Sequence, residues 1–348
     1  VYQLNATDNG SPEGNKLPAP DSVVGTSLGA LGNMGARSND KENYRWTFLV
    51  KNNEDRDDFS GVIPFCKWLA TSGTAFTSQI TTRLDADQWL RGHAVNVLTG
   101  AGDSYGGDGS QHNVQFYVRP SDGRMLYFPH DMDAFYDAGR GLIPNGDLAK
   151  IIAVPAHART YYAHLLDIMA TTYNTRYMTR WANHFGQLLP GQPFSSHLAF
   201  IGQRQAFVTS QVNAAVPPAT PFAITTNSGN NLTTASSPVT LAGTGNLAVH
   251  TLQINGVTLP VTWTSRTAWT VAVPLATGAT TLTVQGVDRH GSPLPSALDT
   301  ITVTNTGPGA PLPVVINEWM AANTGPGGIS DPADGQFQDW IELYNPNA

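Results

Sequence analysis

A change of hydrophobic pattern near residue 214 is the strongest constraint on the fold of this 348-residue chain. Before it, apolar residues recur at three- and four-residue spacing, as in amphipathic helices. After the segment AAVPPATP at 214–221, short β-type runs alternate with Gly, Asn and Pro up to Thr306. Because one pattern does not continue across this point, we predict a multidomain protein in which an α+β region precedes β domains.

The charge balance excludes one class of partner. Only 13% of residues are charged, and the formal net charge is -7. Binding to nucleic acid phosphates or to an anionic membrane surface needs clustered cations, and the sequence contains no cluster of Lys or Arg. We therefore expect no nucleic-acid partner, and a surface poor in charge and rich in Thr that is typical of secreted proteins.

Cysteine content and the chain ends bear on cellular location. The lone cysteine, Cys66, cannot form a disulfide within the chain, and its apolar neighbours predict a small buried side chain, so the redox compartment stays open. No apolar run approaches 18 residues and the sequence does not start with Met, so we expect no membrane span in this window. We expect the chain to be cut from a longer protein at both ends, with a signal peptide upstream.

The first region contains one well-marked helix followed by a hairpin. Asp85 can cap a helix whose apolar positions recur at helical spacing, and Gly100 stands where that helix ends. The loop GAGDSYGGDGSQHN follows, and then NVQFYVRP and RMLYFPHD, joined by a turn at 120–123, predict a β-hairpin. Loops with an extended run at 46–50 are predicted before residue 50, and further helices at about 58–70, 155–172, 174–189 and 195–213.

Acidic and amide side chains gather around this hairpin. Asp103 lies in the glycine-rich loop, Asn113 opens the hairpin, and Asp131 and Asp133 follow its second strand. Because the two ends of a hairpin lie side by side, we expect Asn113 and Asp131 to meet, with Asp103 one short loop away. Carboxylate and amide oxygens suit Mg²⁺ or Mn²⁺ rather than zinc. Phosphoryl transfer needs such a metal and a separate carboxylate that orients the acceptor hydroxyl.

Other polar and aromatic residues are predicted to be structural. Asp108 is expected to keep its loop soluble. His93 lies on the apolar face of its helix, and it and His112 are expected to be packed or hydrogen-bonded rather than metal ligands. Trp263 and Trp269 are expected to pack within the β region.

Two stretches carry a family resemblance. The sequence LDADQWLRGHAVNVLTGAGDSYG, followed by HNVQFYVRPSDGRMLYFPHDMDAF, resembles the pattern of the CotH (spore coat protein H) kinase family. That pattern is an aspartate-led helix, an N-x-D loop, an Asn-led strand and P-W-D-x-D-x-x-F. PAHARTYYAHLLDIM at 155–169 is similar to the family's C-terminal region. The resemblance covers about residues 1–213 and implies a distant, atypical relative of protein kinases that phosphorylates Ser in extracytoplasmic proteins.

The resemblance implies a role for each candidate residue. Asp103 matches the catalytic-loop aspartate, Asn113 a metal-site residue, and Asp131 the metal-binding aspartate, with Asp133 beside it. His130 stands where the family usually has Trp, and the loop after Asp103 is longer and richer in Gly than usual.

The nucleotide-binding lobe of such a kinase is expected upstream of this chain. It would supply the Lys or Arg that contacts phosphate and the acid that pairs with it. No lysine of the chain lies in a recognisable phosphate-loop context: Lys16, Lys41, Lys51, Lys67 and Lys150. We therefore expect the chain by itself not to bind ATP productively.

The β region divides into two predicted modules. About seven strands at sandwich spacing predict an immunoglobulin-like domain over 219–306, after the kinase-like domain of 1–213. Beyond the linker TGPGAPLP, the runs VVINEWMA and DWIELYN resemble the first strands of a lamin-tail domain, which would begin at 314 and be truncated at 348. Two strands do not enclose a core by themselves. The resemblance implies a role in attachment at a cell surface or cell wall.

The sequence thus predicts a metal-dependent protein Ser/Thr kinase that uses ATP with Mg²⁺ or Mn²⁺. Its protein substrate would present a Ser or Thr acceptor, and we expect a secreted or surface-bound, bacterial protein. One alternative is a catalytically inactive kinase-like scaffold or adhesion protein. The other alternative is a metal-dependent glycosyltransferase that uses Asp131 and Asp133 as a D-x-D motif. However, the chain before Asp131 lacks the alternating strand-helix pattern of a nucleotide-sugar-binding sheet.

Overall fold

The computed structural model of the chain describes residues 1–4, 31–45, 47–107, 113–132, 136–192, 194–309, 315–324 and 327–344. Its contacts cluster into two compact units. The first is Val1–Pro221 with Gly245–Ala248 and Thr262–Trp269, and the second is Phe222–Thr244, Val249–Val261 and Thr270–Ala348. Within the described ranges, no helix is both long enough and apolar enough to cross a membrane.

The first unit combines helices with one small sheet. The helices are α1 (Glu42–Arg45), α2 (Val62–Leu69), α3 (Gly73–Thr77), α4 (Ile80–Arg83), α5 (Ala86–Thr99), α6 (Gly146–Ile152), α7 (Pro155–Thr171), α8 (Thr175–Leu188) and α9 (Phe194–Ala215). The strands are β1 (Tyr2–Leu4), β2 (Phe48–Val50), β3 (Val114–Val118) and β4 (Met125–Pro129). They pair antiparallel in the order β2-β1-β3-β4.

Helix α5 begins and ends where the sequence predicts. The Asp85 carboxylate accepts a hydrogen bond from the Gln88 amide at 3.2 Å, which satisfies one of the free N–H groups of the first turn. Gly100 ends the helix with a φ of 67°, a left-handed conformation that costs glycine least. The hairpin is also confirmed, with Val114 opposite Pro129 and Val118 opposite Met125.

The core of this unit centres on Trp89 of α5. Its side chain is fully buried and its Nε1 donates to the Met125 carbonyl oxygen at 2.8 Å, so the helix is joined to strand β4. Its ring lies 5.4 Å from that of Phe116 and 5.4 Å from that of Tyr127, measured between centroids. Aromatic pairs at this separation add to the hydrophobic stabilisation of a core. Cys66 is buried in the same core, as predicted.

Several element boundaries differ from the expectations. The helix expected at 58–70 is α2, which begins at Val62. The region before residue 50 was expected to be loop with an extended end, but it contains α1 and a 3-10 helix at Leu31–Ala36 as well as β2. Helix α6 was not predicted because its seven residues are too few to show a helical period.

The strands after residue 221 form three sheets. They are β5 (Ala223–Ile224), β6 (Leu232–Thr234), β7 (Val239–Thr244), β8 (Thr251–Ile254), β9 (Val257–Leu259), β10 (Val261–Trp263), β11 (Ala268–Val273), β12 (Gly278–Val287), β13 (Pro293–Asn305), β14 (Val315–Met320) and β15 (Trp340–Tyr344). The sheet orders are β10-β11-β7-β5, β6-β13-β12-β8-β9 and β14-β15. Helices therefore precede many strands, as the change of pattern predicts.

Nine strands, β5 to β13, lie in the fully described span 222–309, where the pattern predicts about seven. The extra ones are two or three residues long, which is too short to show alternation. The Asn255-Gly256 turn between β8 and β9 is present, and both residues have positive φ, 49° and 84°. Trp269 is fully buried, as expected.

Strands β14 and β15 pair antiparallel and leave apolar side chains in solvent. The exposed side chains are Ile316, Trp319, Ile341 and Leu343, which are 61–73% exposed. The exposure agrees with the expectation that two strands do not enclose a core.

Candidate functional site

Asn113 and Asp103 are in direct contact at the start of the hairpin. The Asn113 Nδ2 atom donates to the Asp103 carbonyl oxygen at 2.8 Å and to its Oδ2 atom at 3.3 Å. Both residues are partly buried. An amide that donates through nitrogen leaves its Oδ1 atom as an acceptor or ligand. One side chain therefore fixes the Asp103 carboxylate and offers an oxygen of its own beside it.

Asp131 lies at the other end of the hairpin. The His130 amide donates to the Asn113 carbonyl oxygen at 3.2 Å, so the strand pairing continues one residue past β4. Asp131 is the next residue after His130. The Asp131 side chain is exposed. The hairpin thus carries Asn113 and Asp131 on adjacent chain ends, with Asp103 joined to Asn113. Asp133 and Asp108, like His112, lie outside the described residues.

Three residues around this site have left-handed backbones. Asn113 has a φ of 54° and Asp131 a φ of 50°, a conformation that Asn and Asp adopt more readily than other non-glycine residues. Tyr136 has a φ of 68°, which is uncommon for a bulky side chain. Strained conformations of this kind persist only where surrounding contacts hold them, and they concentrate at functional sites.

The glycine-rich loop that carries Asp103 packs too closely for side chains at two positions. A Cβ atom on Gly107 would lie 2.1 Å from the Gly102 carbonyl oxygen, so the two arms of the loop touch through their backbones. A Cβ atom on Gly100 would lie 2.7 Å from the Asp137 carbonyl oxygen. The loop therefore needs glycine for close backbone approach, which a purely solubilising loop does not require.

Helix α5 carries one buried histidine, His93. His93 is fully buried, its ring stacks on Tyr161 at 5.6 Å, and neither ring nitrogen has a hydrogen-bond partner in the described structure. Burial, and secondarily the positive charge of Arg140, lower the pKa of His93 to about 3. The ring is therefore neutral at physiological pH, and its packed position agrees with the expectation from the sequence.

Four lysines lie in the described part of the chain, and three of them contact protein groups. Lys67 donates to the Arg37 carbonyl oxygen at 2.8 Å, and Lys150 donates to that of Thr71 at 2.9 Å. Lys41 pairs with Asp57. These three cations are therefore engaged by protein groups, whereas Lys51 is exposed.

The donor set fits a hard divalent cation in its chemistry. The Asp131 carboxylate and the Asn113 amide offer oxygen ligands, which Mg²⁺ and Mn²⁺ prefer. Among the described residues, no group of three or more His, Cys, Asp or Glu side chains converges as a metal cluster. A magnesium ion usually keeps several waters and binds through one or two carboxylates and substrate phosphates, so it does not need such a cluster.

An apolar groove of about 570 Å³ is lined by residues of α5, α7, α8 and α9. Its walls include Thr99, at the end of α5, and Tyr136, whose ring stacks on His197 with 5.0 Å between centroids. Aromatic side chains of α8, among them Tyr177 and Trp181, form the opposite wall. None of the described residues that line it is Lys or Arg, and these side chains offer no charge complementary to a triphosphate.

Two buried arginines at the site were missed from the sequence. Arg204 is fully buried on α9 and Arg140 is almost so. A signal for Arg204 existed, because it shares a four-residue spacing with the buried Phe200, Val208 and Val212 of the same helix. A charged residue on an apolar stripe indicates a buried polar partner. Arg140 lies in an irregular segment, where no periodicity marks it.

The family comparison agrees with this geometry. Residues 26–196 match the model described as CotH kinase protein. This span lies in the unit of helices and one small sheet, and β structure follows it, which is consistent with a kinase-like lobe before a β region. The match covers just under half of the chain, so the likeness to the CotH kinase family is a property of residues 26–196. No curated protein matches the chain.

Proposed function

We propose that the protein is a metal-dependent kinase that transfers the γ-phosphoryl group of ATP to Ser or Thr of a protein substrate. The observation that carries this proposal is the contact of the Asn113 amide with the Asp103 carboxylate, at the base of a hairpin whose second strand leads to Asp131. These residues fall within the part matched to the CotH kinase family, which implies nucleotide use and a protein substrate.

Each residue has a distinct part in this proposal. Asp131 and the Asn113 amide oxygen would hold Mg²⁺ or Mn²⁺, with Asp133 contributing from the same segment. The cation would neutralise charge on the phosphate oxygens. Asp103, held by Asn113, orients the acceptor hydroxyl and accepts its proton as the hydroxyl oxygen bonds to the γ-phosphorus and ADP leaves.

The setting of the kinase is also a proposal. We place it outside the cytoplasm, on a cell surface or secreted, in a bacterial protein with further modules. The low charge content supports this location. The sheets formed by β5 to β13 support an immunoglobulin-like module at 219–306. The antiparallel β14 and β15 support the start of a lamin-tail domain with an attachment role.

A phosphoryl-transfer assay tests the proposed function. The full-length protein is incubated with γ-labelled ATP, Mn²⁺ or Mg²⁺, and dephosphorylated casein as acceptor. We expect label on Ser or Thr, and a rate that falls about a thousandfold in Asp103→Asn, which keeps the shape but removes the basic carboxylate. Asp55→Asn is the matched control, since Asp55 is exposed in the short 3-10 helix Glu54–Arg56.

Two other outcomes separate the alternatives. If the wild-type protein binds no nucleotide and transfers no label, the inactive scaffold or adhesion protein becomes the better account, and His130 at the position of the family's Trp is the residue to examine first. If label is transferred from a nucleotide sugar instead of ATP, the glycosyltransferase hypothesis replaces the kinase.

A further inference from the structure

The described part of the loop that carries Asp103, residues 100–107, is held by the chain that follows Asp131. At its start, the Tyr136 amide donates to the Thr99 carbonyl oxygen at 3.2 Å, and the Asp137 amide donates to that of Gly100 at 3.1 Å. At residues 106 and 107, Asn145 donates to the carbonyl oxygens of Gly106 and Gly107, at 2.8 Å each. The two segments are therefore bonded to each other at both ends of the stretch 100–107.

Arg140 contacts the middle of the loop, next to Asp103. Its Nη1 atom donates to the Ser104 Oγ atom at 3.0 Å, and that hydroxyl donates to the Ala101 carbonyl oxygen at 2.9 Å. Ser104 is buried, with 1% exposure, and Arg140 is 9% exposed. A hydroxyl that accepts from one side and donates on the other is fixed in orientation. The residue after Asp103 is therefore locked by a bond from the opposite segment.

Arg204 strengthens the same connection from α9. Its Nε atom donates to the Val97 carbonyl oxygen at 2.9 Å, and its Nη1 atom donates to that of Ala138 at 3.0 Å. One planar guanidinium thus joins the last turn of α5 to the segment that contains Arg140. Burying a guanidinium is costly unless its donors are used, so this arrangement needs a compensating benefit.

We propose that Arg140 is a positioning residue for Asp103, acting through Ser104, and that it couples the conformation of the Asp103 loop to the segment that follows Asp131. This inference rests on the proposed kinase function, because it gives Arg140 a part in fixing the position of the Asp103 carboxylate relative to that of Asp131. A misplacement of about 1 Å can cost on the order of a hundredfold in rate, so a loop anchor of this kind has kinetic consequences.

A double-mutant cycle in the full-length protein tests the inference. The variants are Ser104→Ala, Arg140→Gln and the double variant, assayed for phosphoryl transfer from ATP. We expect each single variant to lower kcat about tenfold or more while the KM for ATP changes by less than about twofold. The double variant should be no worse than Arg140→Gln alone, since both changes break one interaction. Arg180→Gln, on the exposed face of α8, is the matched control and should behave as wild type.

Peptide-resolved hydrogen exchange gives a second readout that does not need activity. In Ser104→Ala and in Arg140→Gln, we expect exchange over 100–107 to rise about tenfold or more while α7 is unchanged. If Arg140→Gln fails to fold, Ser104→Ala alone decides, because it removes a single hydroxyl. Unchanged exchange over 100–107, or multiplicative losses of kcat in the double variant, would overturn the positioning role. Absence of transfer by the wild type contradicts the kinase function instead, and the exchange result still decides whether Arg140 holds the loop.

Discussion

The two units differ in the polar groups that they bury. Among the described residues, the first unit buries charged or titratable side chains: His93, Arg140, Asp147, Arg159, His164 and Arg204. In the second unit the buried polar side chains are two asparagines, Asn305 and Asn323. Each asparagine is hydrogen-bonded through both its amide nitrogen and its amide oxygen.

The difference shows which unit of this protein buries groups that lower its folding stability. Burial of an ionisable or unpaired group costs stability, so such groups are retained where they act or where they hold groups that act. His93 and the Arg204 Nη2 atom have no hydrogen-bond partner in the described structure, and both belong to the first unit. In the second unit the two buried asparagines are instead hydrogen-bonded, and antiparallel and parallel strand pairing forms its sheets.

The largest expected effect concerns the aromatic core of the first unit. Trp89→Ala should lower the free energy of local opening of α5 by about 3–5 kcal/mol, because it leaves a large cavity and removes the donor to the Met125 carbonyl. Peptide-resolved hydrogen exchange measures this on α5 while strand β12 reports on the second unit. Trp181→Ala on the half-exposed face of α8 is the control. A cost near that of the control would show that α5 does not organise the unit.

The next effect is a pH dependence of the free energy of unfolding that is caused by His93. The unfolded ring binds its proton below about pH 6.5 and the folded ring only below about pH 3, so the unfolded state holds more protons between these values. The free energy of unfolding should therefore fall by about 2 kcal/mol between pH 7 and pH 5 on account of His93. Urea unfolding followed by near-ultraviolet circular dichroism should show a weaker pH dependence in His93→Phe. His184→Gln, an exposed histidine change, should keep the wild-type slope.

A matched pair of asparagines compares the units directly. Asn113 and Asn255 both have left-handed backbones, with φ of 54° and 49°. Asn113→Asp places a carboxylate where an amide now donates to Asp103, and we expect phosphoryl transfer to fall at least tenfold because like charges repel. Asn255→Asp should leave the rate unchanged. Equal rates for the two variants would remove Asn113 from the site.

The smallest effect belongs to the second unit. In the wild type, the Thr283 amide donates to the Asn255 Oδ1 atom at 2.8 Å, and Asn255→Ala removes this acceptor. Alanine also adopts the positive φ of this position less readily than asparagine does. We expect local stability of β8 and β9 to fall by about 1 kcal/mol, with no change in phosphoryl transfer. Hydrogen exchange over 251–259 measures the first quantity. A loss of activity in this variant would contradict the assignment of the chemistry to the first unit.

Local signals made the hairpin and α5 predictable from the sequence. The Asp85 cap, the Gly100 end and the turn at 120–123 fix their own backbone within a few residues, and hairpin geometry then places Asn113 next to the residue before Asp131. The contact between Asn113 and Asp103 follows from the same geometry with one short loop added.

Features that depend on distant partners were not predictable. Arg140 and Asn145 contact the glycine-rich loop across more than thirty intervening residues, and no periodicity marks them. Helix α6 was missed because it is short. The close approach of Gly107 to Gly102 depends on how the loop folds on itself, which glycine content alone does not specify.

The central claim is that Asp131 belongs to a metal-dependent nucleotide site. Calorimetric titration of the full-length protein with ATP, in the presence and absence of Mn²⁺, tests it most directly when wild type is compared with Asp131→Ala and with the surface control Asp55→Ala. We predict binding that requires the metal, is retained by Asp55→Ala, and is weakened at least about a hundredfold in Asp131→Ala. Equal, metal-independent affinity in the wild type and Asp131→Ala would contradict the account, as would the absence of any binding by the wild type.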